Sequence, residues 1–136
     1  DGSSNFNGTI SASPATTANQ VVVKSQLDAV ASKPYKVYTA LLTQTGTNAP
    51  VATVLENTLG GTVVWTRTSN GIYVGTLAGV FTANKTFATN TFGTFSGFAQ
   101  FGSASVDTVN IRTTNPSITL TDGLLNGNSI EIRVYN

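Results

Sequence analysis

Acidic side chains are the first residues to consider for chemistry, because the chain contains neither histidine nor cysteine. Four of the six acidic residues follow position 34: Glu56, Asp107, Asp122 and Glu131. A glycosidase needs two carboxylates about 5 to 9.5 Å apart, but Asp122 precedes a glycine in a turn pattern, and Asp107 and Glu131 fall on strand positions expected to face solvent. A calcium site from Asp107 or Asp122 with loop carbonyls lacks the dense acidic loop that would support it. The sequence therefore predicts no enzyme, no metal site and no cofactor.

Aromatic residues are the second candidates, because their rings bury large areas and are over-used at interfaces. Four phenylalanines recur at a spacing of three in a glycine-rich stretch: Phe92, Phe95, Phe98 and Phe101. This spacing fits neither strand alternation nor a stable helix. Two interpretations stay open. Either these rings fill one end of the core from irregular, bulged strands, or they form a binding or subunit-contact surface.

The single tryptophan and the tyrosines admit the same two interpretations. Trp65 follows Val63 and Val64 in the middle of a strand pattern, which favours a core position over stacking on a sugar. Tyrosines on exposed strand faces would supply ring contacts with a polar end. The tyrosines are Tyr35, Tyr38, Tyr73 and Tyr135.

Composition limits the class of protein. Hydrophobic residues make up 40% of the 136 residues, enough for a core, whereas only 10% are charged, well below the roughly 25% typical of soluble domains. Threonine, serine, asparagine and glycine must cover the surface instead, as in extracellular or virion β-proteins. The net charge of +1 is scattered and forms no basic patch, so nucleic-acid binding is not expected. No apolar run is long enough to insert into a membrane.

One short helix is predicted in residues 17–34. Thr17 and Gln20 fit a capping box, and Pro34 cannot continue a helix. Val23, Leu27 and Val30 alternate spacings of four and three, as in the seam of a coiled coil. A helix this short is marginal alone in water, so the stripe needs a partner surface. We expect it to pack against copies of itself, with the chain's own domain as the alternative.

The rest of the chain is predicted to be strands joined by turns. Alternating, β-branched segments occur at 35–44, 51–56, 62–68, 72–77, 105–113, 117–121 and 129–136. Asn70-Gly71 predicts a tight hairpin, and the C-terminal segment places Ile130, Ile132 and Val134 on one face. Seven to nine strands in about 100 residues predict a mainly β, antiparallel, jelly-roll-like sandwich. The expected parts are an extended segment (1–16), a helical connector (17–34) and a head (35–136).

The connector NGTISASPATTANQVVVKSQLDAV resembles those of trimeric bacteriophage and prophage fibre proteins, with matching positions at 18–29. Segments of the head, such as LLNGNSIEIRVYN, are similar to domains of phage-like proteins. In that family a short trimeric helix leads into a β-rich head. The resemblance implies a homotrimeric fibre on the virion surface, on head or tail, with a host-attachment role and no catalytic residues.

Three functions follow from these expectations. The first is a trimeric fibre or adhesin, with Val23, Leu27 and Val30 on the threefold axis and a host cell-surface glycan as ligand. Its N-terminal segment would contact other virion proteins. The second is a capsid-decorating protein without a receptor. The third is a secreted, monomeric carbohydrate-binding module that uses Trp65 and the tyrosines.

Overall fold

The computed structural model describes Thr16 and residues 24–31, 33–91, 98–103 and 105–136. The chain divides into two compact units, Asp1–Lys33 and Pro34–Asn136. Within the first unit, the described helix α1 spans Lys24–Ala31, inside the segment 17–34 that was predicted to contain one short helix. The predicted capping box at Thr17 and Gln20 lies outside the described residues.

The second unit contains eight described strands arranged in two antiparallel sheets. In chain order they are β1 (Tyr35–Thr43), β2 (Val51–Asn57), β3 (Val64–Ser69), β4 (Ile72–Thr76), β5 (Thr86–Asn90), β6 (Phe98–Ser103), β7 (Thr108–Thr114) and β8 (Asn126–Tyr135). Sheet 1 has the order β2-β1-β8-β5, and sheet 2 has the order β3-β4-β7-β6. The prediction of a mainly β, antiparallel sandwich with one short helix is therefore confirmed.

The strand order is less jelly-roll-like than expected. The first strand, β1, pairs with the last, β8, as in a jelly roll. However, β1 also pairs with β2, and β3 pairs with β4, so each of these hairpins lies within a single sheet. A two-residue turn joins β3 to β4 and seven residues join β1 to β2, and such short connections favour pairing of neighbouring strands over pairing across the sandwich.

The core forms where the inner faces of the two sheets meet. In β8, Ile130, Ile132 and Val134 are buried while the residues between them are partly exposed, so the alternation predicted for this strand is confirmed. Sheet 1 also contributes Ala40 and Leu42 from β1. Sheet 2 contributes residues of β3, β4 and β7: Trp65, Tyr73, Val109 and Ile111.

The hairpin between β3 and β4 confirms the turn predicted at Asn70-Gly71, although only Gly71 adopts a positive φ, of 63°. A side chain at Gly71 would also have no room. A Cβ atom at this position would lie 2.5 Å from the carbonyl oxygen of Thr113 and 2.5 Å from the backbone nitrogen of Thr121. The turn can therefore dock against these neighbours only with glycine at this position.

Two stretches differ from the sequence-based expectation. Residues 117–121 were expected to form a strand, but their only ladder contact is an isolated bridge between Leu120 and Thr114. Ile118 has a φ of 61° and is exposed, and this backbone conformation cannot continue a strand. Of the phenylalanine-rich stretch, Phe98 to Phe101 belong to β6, whose pairing with β7 is regular and lacks the expected bulge, and residues 92–97 lie outside the described residues.

Candidate functional site

The helix positions expected to form a subunit seam are only partly described. Val23 lies outside the described residues, as does the side chain of Val30. Leu27 lies within α1, and its side chain is 61% exposed. An exposed leucine on a short helix is available to a partner surface, but it does not identify that partner.

The phenylalanine set is likewise divided. Phe92 and Phe95 lie outside the described residues, and Phe98 is described only by its backbone, which pairs with Thr114. Phe101 is partly buried and packs against the core, with its ring centroid 6.5 Å from that of Trp65. For Phe101 the position matches the interpretation of these rings as core.

Trp65 is a core residue that is only 7% exposed. Its ring covers Gly75 on the paired strand, and its Nε1 donates a hydrogen bond to the Tyr38 hydroxyl at 3.3 Å. The indole is therefore not available to stack on a sugar. The expectation of exposed tyrosines was also wrong for Tyr38 and Tyr73, because both are fully buried.

A polar cluster surrounds Asp122 at the end of the β3–β4 hairpin. One carboxylate oxygen, Oδ2, accepts hydrogen bonds from Arg67 Nη2 at 2.7 Å and from Arg67 Nε at 3.0 Å. The other, Oδ1, accepts one from the Gly71 amide at 2.9 Å and lies 3.0 Å from the Tyr73 hydroxyl. The same hydroxyl lies 3.1 Å from Gln44 Oε1. These contacts join the end of β1 to sheet 2.

The Asp122 cluster is unsuited to acid–base catalysis. The hydrogen bonds from Arg67 lower the pKa of Asp122 to about 2, and burial raises the pKa of the Tyr73 hydroxyl to about 12. A general acid or base works best with a pKa near the operating pH, and both groups are shifted away from it. The cluster therefore stabilises the fold and offers no group to a reaction at neutral pH.

The other acidic residues do not assemble into a site either. Asp107 accepts a hydrogen bond from the Gly79 amide at 2.7 Å, which fixes a loop. Among the described residues, no group of three or more acidic side chains is placed to hold a metal ion. Asp107 and Asp122 are both engaged in hydrogen bonds that hold loops of the sandwich.

The outer face of sheet 1 carries a different kind of cluster, made of Tyr35, Phe87, Arg133 and Tyr135, which we call the aromatic cluster. It is built by strand register: Tyr35 pairs with Tyr135 across β1 and β8, and Phe87 pairs with Arg133 across β5 and β8. Because side chains alternate along each strand, these residues share the face opposite the core. Phe87 is 49% exposed and Tyr135 is 39% exposed.

Arg133 holds this cluster together. Its Cζ lies 4.8 Å from the Tyr35 ring centroid and 5.9 Å from that of Phe87, within the range of cation–π contacts. The Tyr35 and Tyr135 ring centroids are 5.2 Å apart, with a tilt of 55°. Hydrogen bonding with Tyr135, and then with Glu131, raises the pKa of Arg133 above its ordinary value. The guanidinium is therefore a fixed positive charge among exposed rings.

A hollow of about 320 Å³ lies beside the aromatic cluster on the same face. It is lined by hydroxyl side chains from three strands and their loops, together with Leu55 and Glu131; the hydroxyl residues are Thr39, Thr89, Thr91 and Ser129. Thr39 and Thr89 pair with Glu131 from opposite sides. We call this depression the hydroxyl hollow. The rings and the hollow together form a mainly apolar surface, in which Thr39, Thr89 and Glu131 are polar groups and the Thr91 and Ser129 hydroxyls are hydrogen-bonded to each other.

Sequence reasoning identified only part of this surface. It named Tyr35 and Tyr135 and placed Glu131, Arg133 and Tyr135 on one face of the last strand, but it did not select Phe87 as a site residue. The missing signal is the pairing of β5 with β8, which brings Phe87 next to Arg133, 46 positions further along the chain. No local pattern in the sequence reports such a pairing.

Comparison with protein-family models, curated proteins and solved structures finds no match to this chain. No helix in the described part of the chain has the length and apolar character needed to cross a membrane. The fold and surface therefore define a two-sheet β-sandwich protein with an exposed aromatic cluster on one sheet.

Proposed function

We propose that this chain is a non-enzymatic attachment protein of a virion surface, in which a homotrimeric fibre presents the sandwich as a glycan-binding head. The observation that carries this proposal is the aromatic cluster on the outer face of sheet 1. Its rings are exposed while other described polar clusters, such as that of Asp122, are engaged in internal hydrogen bonds.

The chemistry of this face suits a saccharide. Sugar rings present apolar C–H faces that stack on aromatic side chains, and hydroxyl groups that need hydrogen-bonding partners. The aromatic cluster supplies the stacking surface, and the hydroxyl hollow adds apolar area together with the Thr39 and Thr89 hydroxyls and the Glu131 carboxylate. The Arg133 guanidinium is already held in place by Glu131 and the rings, so less side-chain entropy is lost on binding.

The trimeric part of the proposal rests on unpartnered apolar surface. Strand β2 is an edge strand of sheet 1, and Val51 and Val54 on it are exposed. Natural proteins usually protect such edges with charge, proline or a covering element. A neighbouring copy of the chain would cover this edge, and Leu27 of α1 would contribute to the same assembly. Three heads in one fibre would make weak contacts to a surface glycan avid.

Two alternatives lead to different observations. A capsid-decorating protein would share the assembly but would bind the capsid and no saccharide. A secreted carbohydrate-binding module would bind saccharide as a monomer. The aromatic cluster supports this second alternative as much as it supports the fibre, whereas the buried Trp65 plays no part in either.

The assembly is tested by light scattering over a dilution series. We expect a trimer mass independent of concentration, and dissociation or unfolding in Leu27→Asp because a charge would be placed in an apolar seam. Ser25→Asp is the matched control, since it adds the same charge at another exposed position of α1. A monomer would contradict the fibre and leave the carbohydrate-binding module. A trimer that survives Leu27→Asp would remove α1 from the interface.

The ligand-binding face is tested with a saccharide array. We expect binding that is lost in Phe87→Ala and retained in Val64→Ala, which removes an exposed apolar side chain from sheet 2. Thermal unfolding of both variants checks that the fold is intact. If the wild-type chain binds no saccharide on the array but binds the capsid, the result would favour the capsid-decorating protein.

A further inference from the structure

A groove of about 300 Å³ lies at the end of the sandwich next to the aromatic cluster. Lys36, Lys85 and Tyr135 line it, together with Gly79, Val80, Thr82, Val134 and Asn136. A second hollow, of about 230 Å³, is lined by Lys85, Phe87 and Tyr135. Tyr135 therefore borders both depressions and belongs to the aromatic cluster, so the groove continues the proposed binding face.

The strand register places the two lysines on either side of β8. Lys36 of β1 pairs with Val134, and Thr86 of β5 pairs with the same Val134 from the opposite side. Lys85 precedes Thr86, and its carbonyl accepts a hydrogen bond from the Tyr135 amide at 2.9 Å. Two strand spacings separate β1 from β5, which amounts to about 10 Å. Both lysine side chains are exposed and line the same groove, which Lys36 enters from the core-facing side of β1, since it pairs with the core residue Val134.

The charges around this groove are not balanced. Arg133 forms an ion pair with Glu131, but neither Lys36 nor Lys85 is in an ion pair within the part of the chain that the structure describes. Arg67, by contrast, is committed to Asp122 on the hairpin of sheet 2. The groove and the aromatic cluster together hold three side-chain cations, Lys36, Lys85 and Arg133, and one side-chain carboxylate, that of Glu131, is paired with Arg133. This surplus of positive charge next to stacking rings is complementary to a ligand that is both cyclic and anionic.

We propose that the ligand of this face is an acidic saccharide, whose carboxylate or sulfate group binds between Lys36 and Lys85 while its ring stacks on Phe87 and Tyr135. This inference rests on the proposed glycan-binding function and names the class of glycan. Ammonium groups bind carboxylate and sulfate through charge-assisted hydrogen bonds. The hydroxyl hollow would receive the next sugar of the chain.

A single-stranded nucleic acid is the other ligand that combines rings with negative charge. The observations favour the saccharide, because the cations are confined to one short groove and do not track a phosphate backbone. The neighbouring hollow offers the Thr39 and Thr89 hydroxyls as partners for sugar hydroxyl groups, while those of Thr91 and Ser129 are hydrogen-bonded to each other. An oligodeoxythymidine is therefore included in the experiment as a competing ligand.

The experiment measures binding of the full chain to two polymers that differ only in charge, polygalacturonate and its fully methyl-esterified form. We expect at least tenfold tighter binding of the acid form, falling as salt is raised because exposed charges are screened. Dextran sulfate and dextran provide the same comparison for sulfate, and so distinguish the two anions. Equal binding of the charged and neutral polymers would overturn the acidic ligand and leave glycan binding intact. Binding of no saccharide at all would overturn the proposed function itself.

Variants then locate the anion. Lys36→Gln and Lys85→Gln should each weaken binding of the acid polymer roughly three- to tenfold while changing binding of the ester little. Arg112→Gln is the matched control, because Arg112 is an exposed cation on β7 of sheet 2. Equal losses in all three variants would mean non-specific attraction and would overturn the site. Tighter binding of the oligodeoxythymidine than of the acid polymer would assign the face to single-stranded nucleic acid instead.

Discussion

Replacing Asp122 by asparagine should destabilise the sandwich by an amount that depends on pH. Asparagine retains an oxygen that can accept the hydrogen bonds from the Gly71 amide and the Tyr73 hydroxyl, but it loses the charge that pairs with Arg67. Asp122→Asn therefore removes the ion pair with little change in shape. The two guanidinium contacts, at 2.7 and 3.0 Å, are the largest cause of the lowered pKa of Asp122.

The magnitude follows from the linkage between this pKa and folding. The pKa of Asp122 falls from 3.8 to about 2 on folding, and each pKa unit corresponds to about 1.36 kcal/mol, so the upper bound is roughly 2.4 kcal/mol. The carboxylate lies near the surface, with 14% of its side chain exposed, and solvent screening reduces this to about 1 to 2 kcal/mol. Because the pKa is lowered on folding, this stability is present above pH 3.8 and is lost as the pH falls to about 2.

The assay is urea unfolding at fixed protein concentration, followed by the fluorescence of the only tryptophan, Trp65, which is buried. The difference between wild type and Asp122→Asn should be about 1 to 2 kcal/mol at pH 7 and only a few tenths near pH 2. Asp107→Asn is the control, since Asp107 accepts a hydrogen bond from Gly79 and is in no ion pair among the described residues. A difference of equal size at both pH values would refute the reasoning, because the cost would then be steric.

Two further predictions concern the same end of the sandwich. Gly71→Ala should cost at least about 3 kcal/mol in urea unfolding, because it combines a positive φ with backbone atoms 2.5 Å from the new Cβ. Gly46→Ala, which has a similar φ but open space, should cost only about 1 kcal/mol; equal costs would rule out the clash. The stability contributed by the protonated Tyr73 hydroxyl is present below pH 10 and is lost as the pH rises to about 12. In Tyr73→Phe the free energy of unfolding should therefore fall less between pH 10 and about 12 than in the wild type. An equal fall in both proteins would contradict this.

The sequence predicted best where one face of a strand is buried. The segment that became β8 alternates apolar and polar residues without interruption, and a shift by one residue would expose Ile130, Ile132 and Val134 together. Strand β1 is different, because apolar or aromatic residues occupy both faces. Tyr35 and Tyr38 lie three positions apart and therefore on opposite faces, and nothing local indicates which tyrosine enters the core. The error about Tyr38 has this origin.

The candidate site was harder to predict, because it depends on which strands become neighbours. Tyr35 and Tyr135 are 100 positions apart and meet only because β1 pairs with β8. Phe87 joins them because β5 pairs with the other side of β8. Composition and spacing could identify exposed aromatic residues as candidates, but only the order of sheet 1 gathers three of them around Arg133.

The strand predicted at 117–121 failed for a related reason: its β-branched residues fit a strand, while the positive φ of Ile118 ends one.

Buried polar side chains and surface polar side chains differ in whether they already have hydrogen-bond partners. This difference explains why the candidate site lies on the surface of sheet 1 and not in an enclosed pocket. In the described part of the chain, no buried side-chain nitrogen or oxygen lacks a hydrogen-bond partner. A polar group already satisfied in the core gains little from a ligand, and breaking its bonds costs free energy. Around sheet 1 such groups remain in contact with water: the rings of Phe87 and Tyr135 on its outer face are partly exposed, and Lys36 and Lys85 are exposed at the end of the sandwich. Binding there would remove apolar area from water without dismantling an internal bond, so this face is where a ligand would gain most.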